Sequence, residues 1–289
     1  MINLNDEVTI VIISHKSRKK VINLINQISI DLKKIVIENS NDKIIESDLS
    51  KLKSNIELIF SQNNGYASAI NLARTKVTTK YFFVLNPDIQ KISNKLISIF
   101  CQSAKELKDN FGALGPRFEN VNEKSHKQSD INEKYGQIES ISGAAMFFCT
   151  EIFDKNGGFD ENFFLYFEET DYCNRSNKNN FKVYQINSQK VNHDTGTSVE
   201  TFSEEESFKL KKLYRWHFIW SKFYFYKKKY GKLISLMIFI PQFLRLILRI
   251  SFYTLNSNKE MREKYLIRYN GLMTSVKGRK SSIRINDFN

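Results

Sequence analysis

Three carboxylates, Glu168, Glu169 and Asp171, come directly after five apolar or aromatic residues at positions 163–167. Desolvating a carboxylate is costly, so an acid set against aromatic walls needs a partner or a task. Such burial also raises its pKa, which suits a general base working near neutral pH. An amphipathic helix start gives the same pattern, with the acids in solvent and the rings in the core. The segment alone does not choose between them.

Two other side chains could hold a cation. Asp88 follows an apolar run, where a hard-metal ligand would face a site, although an Asp after Pro is commonly a turn residue. His193 reads either as a metal ligand or as a surface histidine. If both point at one diphosphate, a carboxylate and an imidazole together suit Mg²⁺ or Mn²⁺.

The elements that must position these groups are legible as apolar runs. Runs at 8–13, 35–37, 56–60 and 81–85 predict strands, the first buried on both faces. Helical patterns are expected after residue 17 to about Ile30, over 66–76 and over 93–108, with further strands at 111–114 and 181–186. This alternation predicts a parallel α/β sheet, whose ligands lie beyond the carboxyl ends of the strands. Those ends carry His15, Glu38, Asn63, Asn64, Gly65, Asn86 and Asp88. No Gly-rich dinucleotide fingerprint or phosphate loop is present, which disfavours nicotinamide and P-loop enzymes. Residues 117–137 read as a surface loop, and the small residues from Ser142 to Met146 permit a close backbone approach to a ligand or another strand. Gly157 and Gly158 form a turn ahead of the acids, and His193 with Asp194 is expected in a polar loop.

The charge is divided unevenly. Residues 201–289 hold 19 Lys/Arg and 6 Asp/Glu, a net of +13, so residues 1–200 hold 25 of each and sum to zero. A neutral body of about residues 1–203 with a basic, aromatic-rich extension at 204–289 suits an anionic partner, nucleic acid or a membrane surface. Residues 233–244 are 12 uncharged positions, short of a spanning helix. As a helix, the segment carries Ser235, Gln242, Arg245 and Arg249 as a narrow polar stripe on a broad apolar face, and Pro241 is expected to kink it. An interfacial membrane helix fits that pattern, as does a helix packed on the body. The three cysteines lack metal-type spacing and read as reduced thiols, and the first residues show no export signal.

The order of the motifs resembles the family-2 glycosyltransferases of the GT-A fold, in particular the rhamnosyltransferase-like branch that builds bacterial surface polysaccharides such as O-antigen or capsule. The likeness is carried by residues 8–14, 38–40, 64–71, 85–88, 142–146, 157–161 and 163–175 and by His193, and covers about residues 8–200. It implies a mixed, mostly parallel sheet with helices on both faces, followed here by the helical extension. Asn86 and Asp88 take the place of the family's metal motif, with Asp88 and His193 as metal ligands and Asn86 where the first acid usually stands. Glu38 matches the acid that meets the pyrimidine. Ser14 and His15 stand at the base pocket, where Thr-Tyr is usual. Asn64, Gly65 and Asn71 resemble the donor-binding start of a helix, and Gly143 and Ala144 complete the donor side. Glu169 takes the position of the catalytic base, with Glu where relatives mostly carry Asp; Glu168 is its rival. Asp171 and Arg175, spaced i, i+4, are expected to form a supporting ion pair.

The activity implied is inverting, metal-dependent transfer of a sugar, rhamnose among the candidates, from a dTDP- or UDP-sugar to a saccharide or polyprenyl-diphosphate-linked hydroxyl. A cytoplasmic enzyme held at the inner face of the cytoplasmic membrane is expected. Two other readings stand beside it. One is an inactive scaffold, suggested by Asn86 and Glu169; the other is a basic nucleic-acid-binding protein, for which no recognised motif is present.

Overall fold

Strand β1 (Val8–Ser14) is buried along its whole length and feeds two cores. Ile10 and Ile12 face one, Val11 and Ile13 the other, as a period of two requires. The computed structural model describes residues 4–29, 31–119, 128–194, 197–201 and 203–288. In it, β2 (Lys34–Glu38) and β4 (Tyr81–Leu85) flank β1 in parallel, and β3 (Ile56–Phe60) lies parallel to β2. These four strands end at one edge.

Beyond β4 the sheet becomes mixed. Strand β8 (Ala145–Cys149) runs antiparallel between β4 and β6 (Ala113–Phe118), and β9 (Val183–His193) is parallel to β6. Strands β5 (Ile89–Gln90) and β7 (Tyr135–Gln137) are antiparallel to β9. Helices α1 (Leu4–Glu7), α2 (Arg18–Ile25), α3 (Ile44–Ser50) and α5 (Asn94–Glu106) cover one face, burying Leu24, Ile45 and Phe100. Helices α4 (Tyr66–Arg74), α6 (Thr150–Lys155) and α7 (Glu168–Lys178) cover the other through Ile70, Phe153 and Tyr172. The mixed α/β sheet covered on both faces agrees with the sequence reading.

Several local readings are corrected. Of the ligand or strand that the small residues around Ala145 could admit, the structure supplies the strand: they open β8, buried on both faces between β4 and β6. The strand expected at 181–186 continues to His193, which therefore sits on a strand and pairs with Ile89. The loop expected over 117–137 is bounded by β6 and β7, and 120–127 lie outside the described residues. Helix α2 stops at Ile25, ahead of Ile30, which is also outside them.

The chain divides into two compact units, Met1–Asp160 with Glu168–Glu200, and Glu161–Phe167 with Thr201–Asn289. The second unit thus takes a seven-residue piece that a single cut at residue 203 leaves with the first. It consists of α8 (Glu204–Tyr230), α9 (Lys232–Leu255), α10 (Lys259–Val276) and a 3-10 turn at Ile285–Asp287. Ser203 caps α8 by accepting from Glu206 N–H, and Glu204–Glu206 with Lys227–Lys229 complement its dipole. Gly271 lets α10 lie against α8, since a Cβ there would come within 2.7 Å of the Trp216 carbonyl. Phe163 packs on Tyr224, Phe164 stacks on His217, and Ser221 Oγ donates to Leu165 O at 2.7 Å. Helix α9 runs 24 residues, because Arg245 and Arg249 do not interrupt it; it is long and apolar enough to cross a membrane by length and composition, which the 12-residue count missed.

Candidate active site

At the carboxyl end of β2, Glu38 is buried and accepts from the backbone N–H of Ser40 at 2.6 Å and from its hydroxyl. Its Oε2 takes no hydrogen bond. Beside it, His15 Nδ1 donates to Asn39 Oδ1 at 2.7 Å, and burial lowers the pKa of the ring. The imidazole is therefore neutral at pH 7 and leaves Nε2 as an acceptor. Ser14 is fully buried, with its hydroxyl 3.3 Å from that of Ser17 and its carbonyl accepting from Asn39 N–H. It holds β1 to the end of β2 and presents no accessible group to a base.

The loop after β3 ends at Gly65, whose φ of 104° is a conformation that side chains rarely adopt and that aims α4 at the site. Asn64 is exposed. Asn71 is committed elsewhere: its Oδ1 accepts from Phe159 N–H at 3.0 Å and its Nδ2 donates to Phe159 O at 2.9 Å. It braces the turn before the acids and is not free to bind a donor as expected.

After β4, Asn86 N–H donates to Ala144 O at 2.8 Å. Tyr66, the first residue of α4, places its hydroxyl 2.7 Å from Asn86 Oδ1 and 2.8 Å from Gly143 O. Burial, and then the charges of Glu168, Glu169 and Asp88, push the Tyr66 phenol well above its usual range. One neutral hydroxyl thus lies close to the metal-type segment, the small-residue loop and the acidic pair.

Asp88 is buried; its Oδ2 accepts from Ser198 Oγ at 2.6 Å and its Oδ1 lies 3.3 Å from His193 Nε2. Burial alone would raise its pKa, but His193 and Ser198 outweigh it and leave the carboxyl below its usual range. Asp88 Oδ1 takes no well-aligned hydrogen bond. Among the described residues no cluster of three or more His, Cys, Asp or Glu forms a complete cation site. A buried carboxylate oxygen facing an imidazole nitrogen nonetheless fits a divalent ion whose other ligands are phosphate oxygens.

Helix α7 opens with the acidic pair. Glu168 is buried with Oε2 unpartnered, while Glu169 is partly exposed and accepts from Thr170 Oγ1 at 3.0 Å. Desolvation raises both pKa values, and repulsion from Glu169 raises that of Glu168 further. The two carboxyls therefore titrate together, and their protons belong to the pair. A Cβ on Gly143 would sit 3.8 Å from the Glu169 carboxyl, so glycine keeps that flank open. The i, i+4 pair is present: Asp171 Oδ2 accepts from Arg175 Nε at 2.9 Å, and Arg175 also donates to the carbonyls of Asn156 and Gly158.

Among the described residues the buried carboxylate oxygens without a hydrogen bond are Glu38 Oε2, Asp88 Oδ1 and Glu168 Oε2, all at this one edge. A cavity of about 880 Å³ lies at the opposite edge, where Arg74 pairs with Asp154 and Lys80 with Asp109. Tyr66 and Ser198 were not picked out from sequence as site residues. Tyr66 lay inside a quoted motif, whereas nothing near Ser198 marks it.

The fold recurs in solved structures. GalNAc-T7, solved with UDP, GalNAc and Mn²⁺, superposes with a TM-score of 0.55 at 13% identity, over 78% of this chain and 51% of that one. Residues 1–349 of S. aureus TarS, solved with UDP-GlcNAc, give 0.52 at 10% identity over 94% and 92%. The chain has the GT-A glycosyltransferase fold. In sequence, a GT-A reading is joined by the low-salt glycan biosynthesis hexosyltransferase Agl10 of Haloferax volcanii, 22% identical over 205 residues. That match covers 62% of this chain, which spans 64% of the relative's length. No protein-family model matches the chain.

Proposed function

We propose that this GT-A chain is a glycosyltransferase that moves a hexose-type sugar from a nucleoside diphosphate to an acceptor hydroxyl with inversion. The observation that carries the reading is the set of three buried carboxylate oxygens at the strand-end edge that take no well-aligned hydrogen bond, on Glu38, Asp88 and Glu168, the Asp88 oxygen facing only the His193 ring. Leaving such atoms unmet costs stability, and each matches a part of one ligand. Glu38 suits the N–H of a pyrimidine, Asp88 with His193 suits the diphosphate end, and the acidic pair suits the acceptor. Agl10, a hexosyltransferase, and neighbours solved with UDP, UDP-GlcNAc or Mn²⁺ support it.

In this mechanism Glu169 takes the acceptor proton as the oxygen attacks the anomeric carbon from the face opposite the diphosphate. Tyr66 holds Asn86 and the Gly143 carbonyl so that both flanks of the donor keep their spacing. Asp88 and His193 would hold a Mg²⁺ or Mn²⁺ ion, which supplies charge stabilisation to the leaving diphosphate. The likeness to the rhamnosyltransferase branch favours dTDP-rhamnose among donors and a lipid-linked saccharide of surface-polysaccharide synthesis among acceptors.

The test is a panel of sugar nucleotides read by thermal shift with Mn²⁺, since a ligand that binds only the folded chain raises its melting point. A dTDP- or UDP-sugar should stabilise the protein and lose its effect in Glu38→Ala. If no nucleotide sugar shifts the transition, the reading is wrong.

A further inference from the structure

In the second unit, α9 packs inward through a narrow face and leaves most of its apolar side chains, with Arg245 and Arg249, exposed. Ser235, Phe239 and Leu246 are buried, whereas Leu233, Met237, Ile240, Leu244, Leu248 and Leu255 are exposed, Leu248 at 69% and Leu255 at 85%. Their spacings of three, four or seven residues place them on one stripe, about 33 Å long at 1.5 Å per residue. Single exposed leucines need no explanation, but a continuous stripe does.

The surroundings of the stripe are cationic. Between Glu206 and Glu260 there is no acidic residue. Lys227, Lys228, Lys229 and Lys232 gather where α8 passes into α9. Helix α10 runs back along α9, as the ring contacts Tyr253–Tyr265 and Phe243–Tyr269 record, and Lys277 and Arg279 follow its end beside Trp220 of α8.

We infer that this face is a docking surface for an anionic phospholipid bilayer, with α9 lying in the plane of the interface. The stripe enters the acyl boundary and the lysines meet headgroup phosphates. A spanning α9 fits less well despite its length. It would have to leave α8 and α10, against which it packs through Phe239, Phe243 and Tyr253, and carry Gln242, Arg245 and Arg249 into hydrocarbon. A second copy of the chain fits less well too, because facing two such surfaces brings like charges together. The inference does not depend on the sugar-transfer reading.

The full chain is floated with vesicles of phosphatidylcholine alone or mixed with phosphatidylglycerol. Binding to the mixed vesicles should be at least about tenfold stronger and fall as salt rises. Leu244→Asp with Leu248→Asp, both exposed, should abolish it with unchanged thermal unfolding. Lys228→Glu with Lys232→Glu should weaken it separately. Equal binding to neutral vesicles, or undiminished binding by both double variants, overturns the inference. So does a vesicle-free dimer that the leucine variant splits, and retention in membranes through alkaline carbonate overturns the in-plane placement.

Discussion

The hydroxyl of Tyr66 lies 2.7 Å from Asn86 Oδ1 and 2.8 Å from the carbonyl oxygen of Gly143, so one proton serves two acceptors on different segments. The first segment leads to Asp88; the second borders Glu169. Tyr66→Phe leaves both acceptors unmet, at a cost of about 1–3 kcal/mol in urea unfolding. Turnover should fall about tenfold with little change in donor KM, because the lost contact positions groups and touches no substrate. Unchanged kinetics and stability would remove Tyr66 from the site.

The acidic pair makes a prediction about rate. Glu169→Gln should lower turnover by about 10²–10⁴-fold while donor binding persists, and Glu168→Gln should cost far less. Glu169 must be ionised to act, and desolvation raises its pKa. The acid limb of kcat/KM should therefore lie above the range of an ordinary glutamate and vanish in Glu169→Gln. A profile flat through that range would contradict the assignment.

The same pair makes a separate prediction about stability. The pKa of Glu168 is raised on folding by burial and by Glu169. Its contribution is fully present below the unfolded-state pKa and is lost as pH rises through the folded value. Glu168→Gln, which keeps the neutral form, should raise the melting point on the alkaline side and leave it unchanged in acid. Chemical denaturation at both ends of the range checks the sign.

Asp88 and His193 bear on cation dependence. Chelation should suppress turnover, and Mn²⁺ or Mg²⁺ should restore it. Asp88→Asn should weaken Mn²⁺ binding in the presence of a pyrimidine nucleoside diphosphate by about tenfold or more, measured by titration calorimetry. Full activity in chelator would discard the cation.

In the second unit His217 is fully buried, donating from Nε2 to Ile283 O at 2.9 Å, with Nδ1 2.8 Å from the Ser281 hydroxyl. Burial pushes its pKa down to about 4 from 6.5. The unfolded chain binds the proton first, so stability should fall as pH drops from about 6.5 to about 4, by on the order of 3 kcal/mol. His217→Gln should blunt that loss; an identical acid transition would refute it.

The parallel half of the sheet was legible because four apolar runs, each ended by polar residues, admit few other readings. Glu38 and Asp88 stood out because ligands collect where parallel strands end, whereas the acid pair stood out by following an aromatic run and by the likeness to a glycosyltransferase motif. Strand β8 was not singled out because small residues such as Ala145 admit a ligand or another strand alike, and only the partners in β4 and β6 decide. Asn71 misled because a polar residue on a site-facing helix looks available until its amide is seen spanning Phe159. Ser198 lies 110 positions from Asp88, and no local pattern encodes that meeting.

Residues 161–167 belong to the helical unit although β9 and α7 of the other unit follow them. During synthesis Phe163 and Phe164 emerge well before Tyr224 and His217, the rings that bury them. Until α8 is complete they have no shelter in their own unit. A chain shortened to residue 203 keeps that orphaned piece, so its failure would report stranded aromatics ahead of any lost membrane contact. The two units alternate along the chain, and substitutions on the surface of α9 separate their roles more cleanly than truncation.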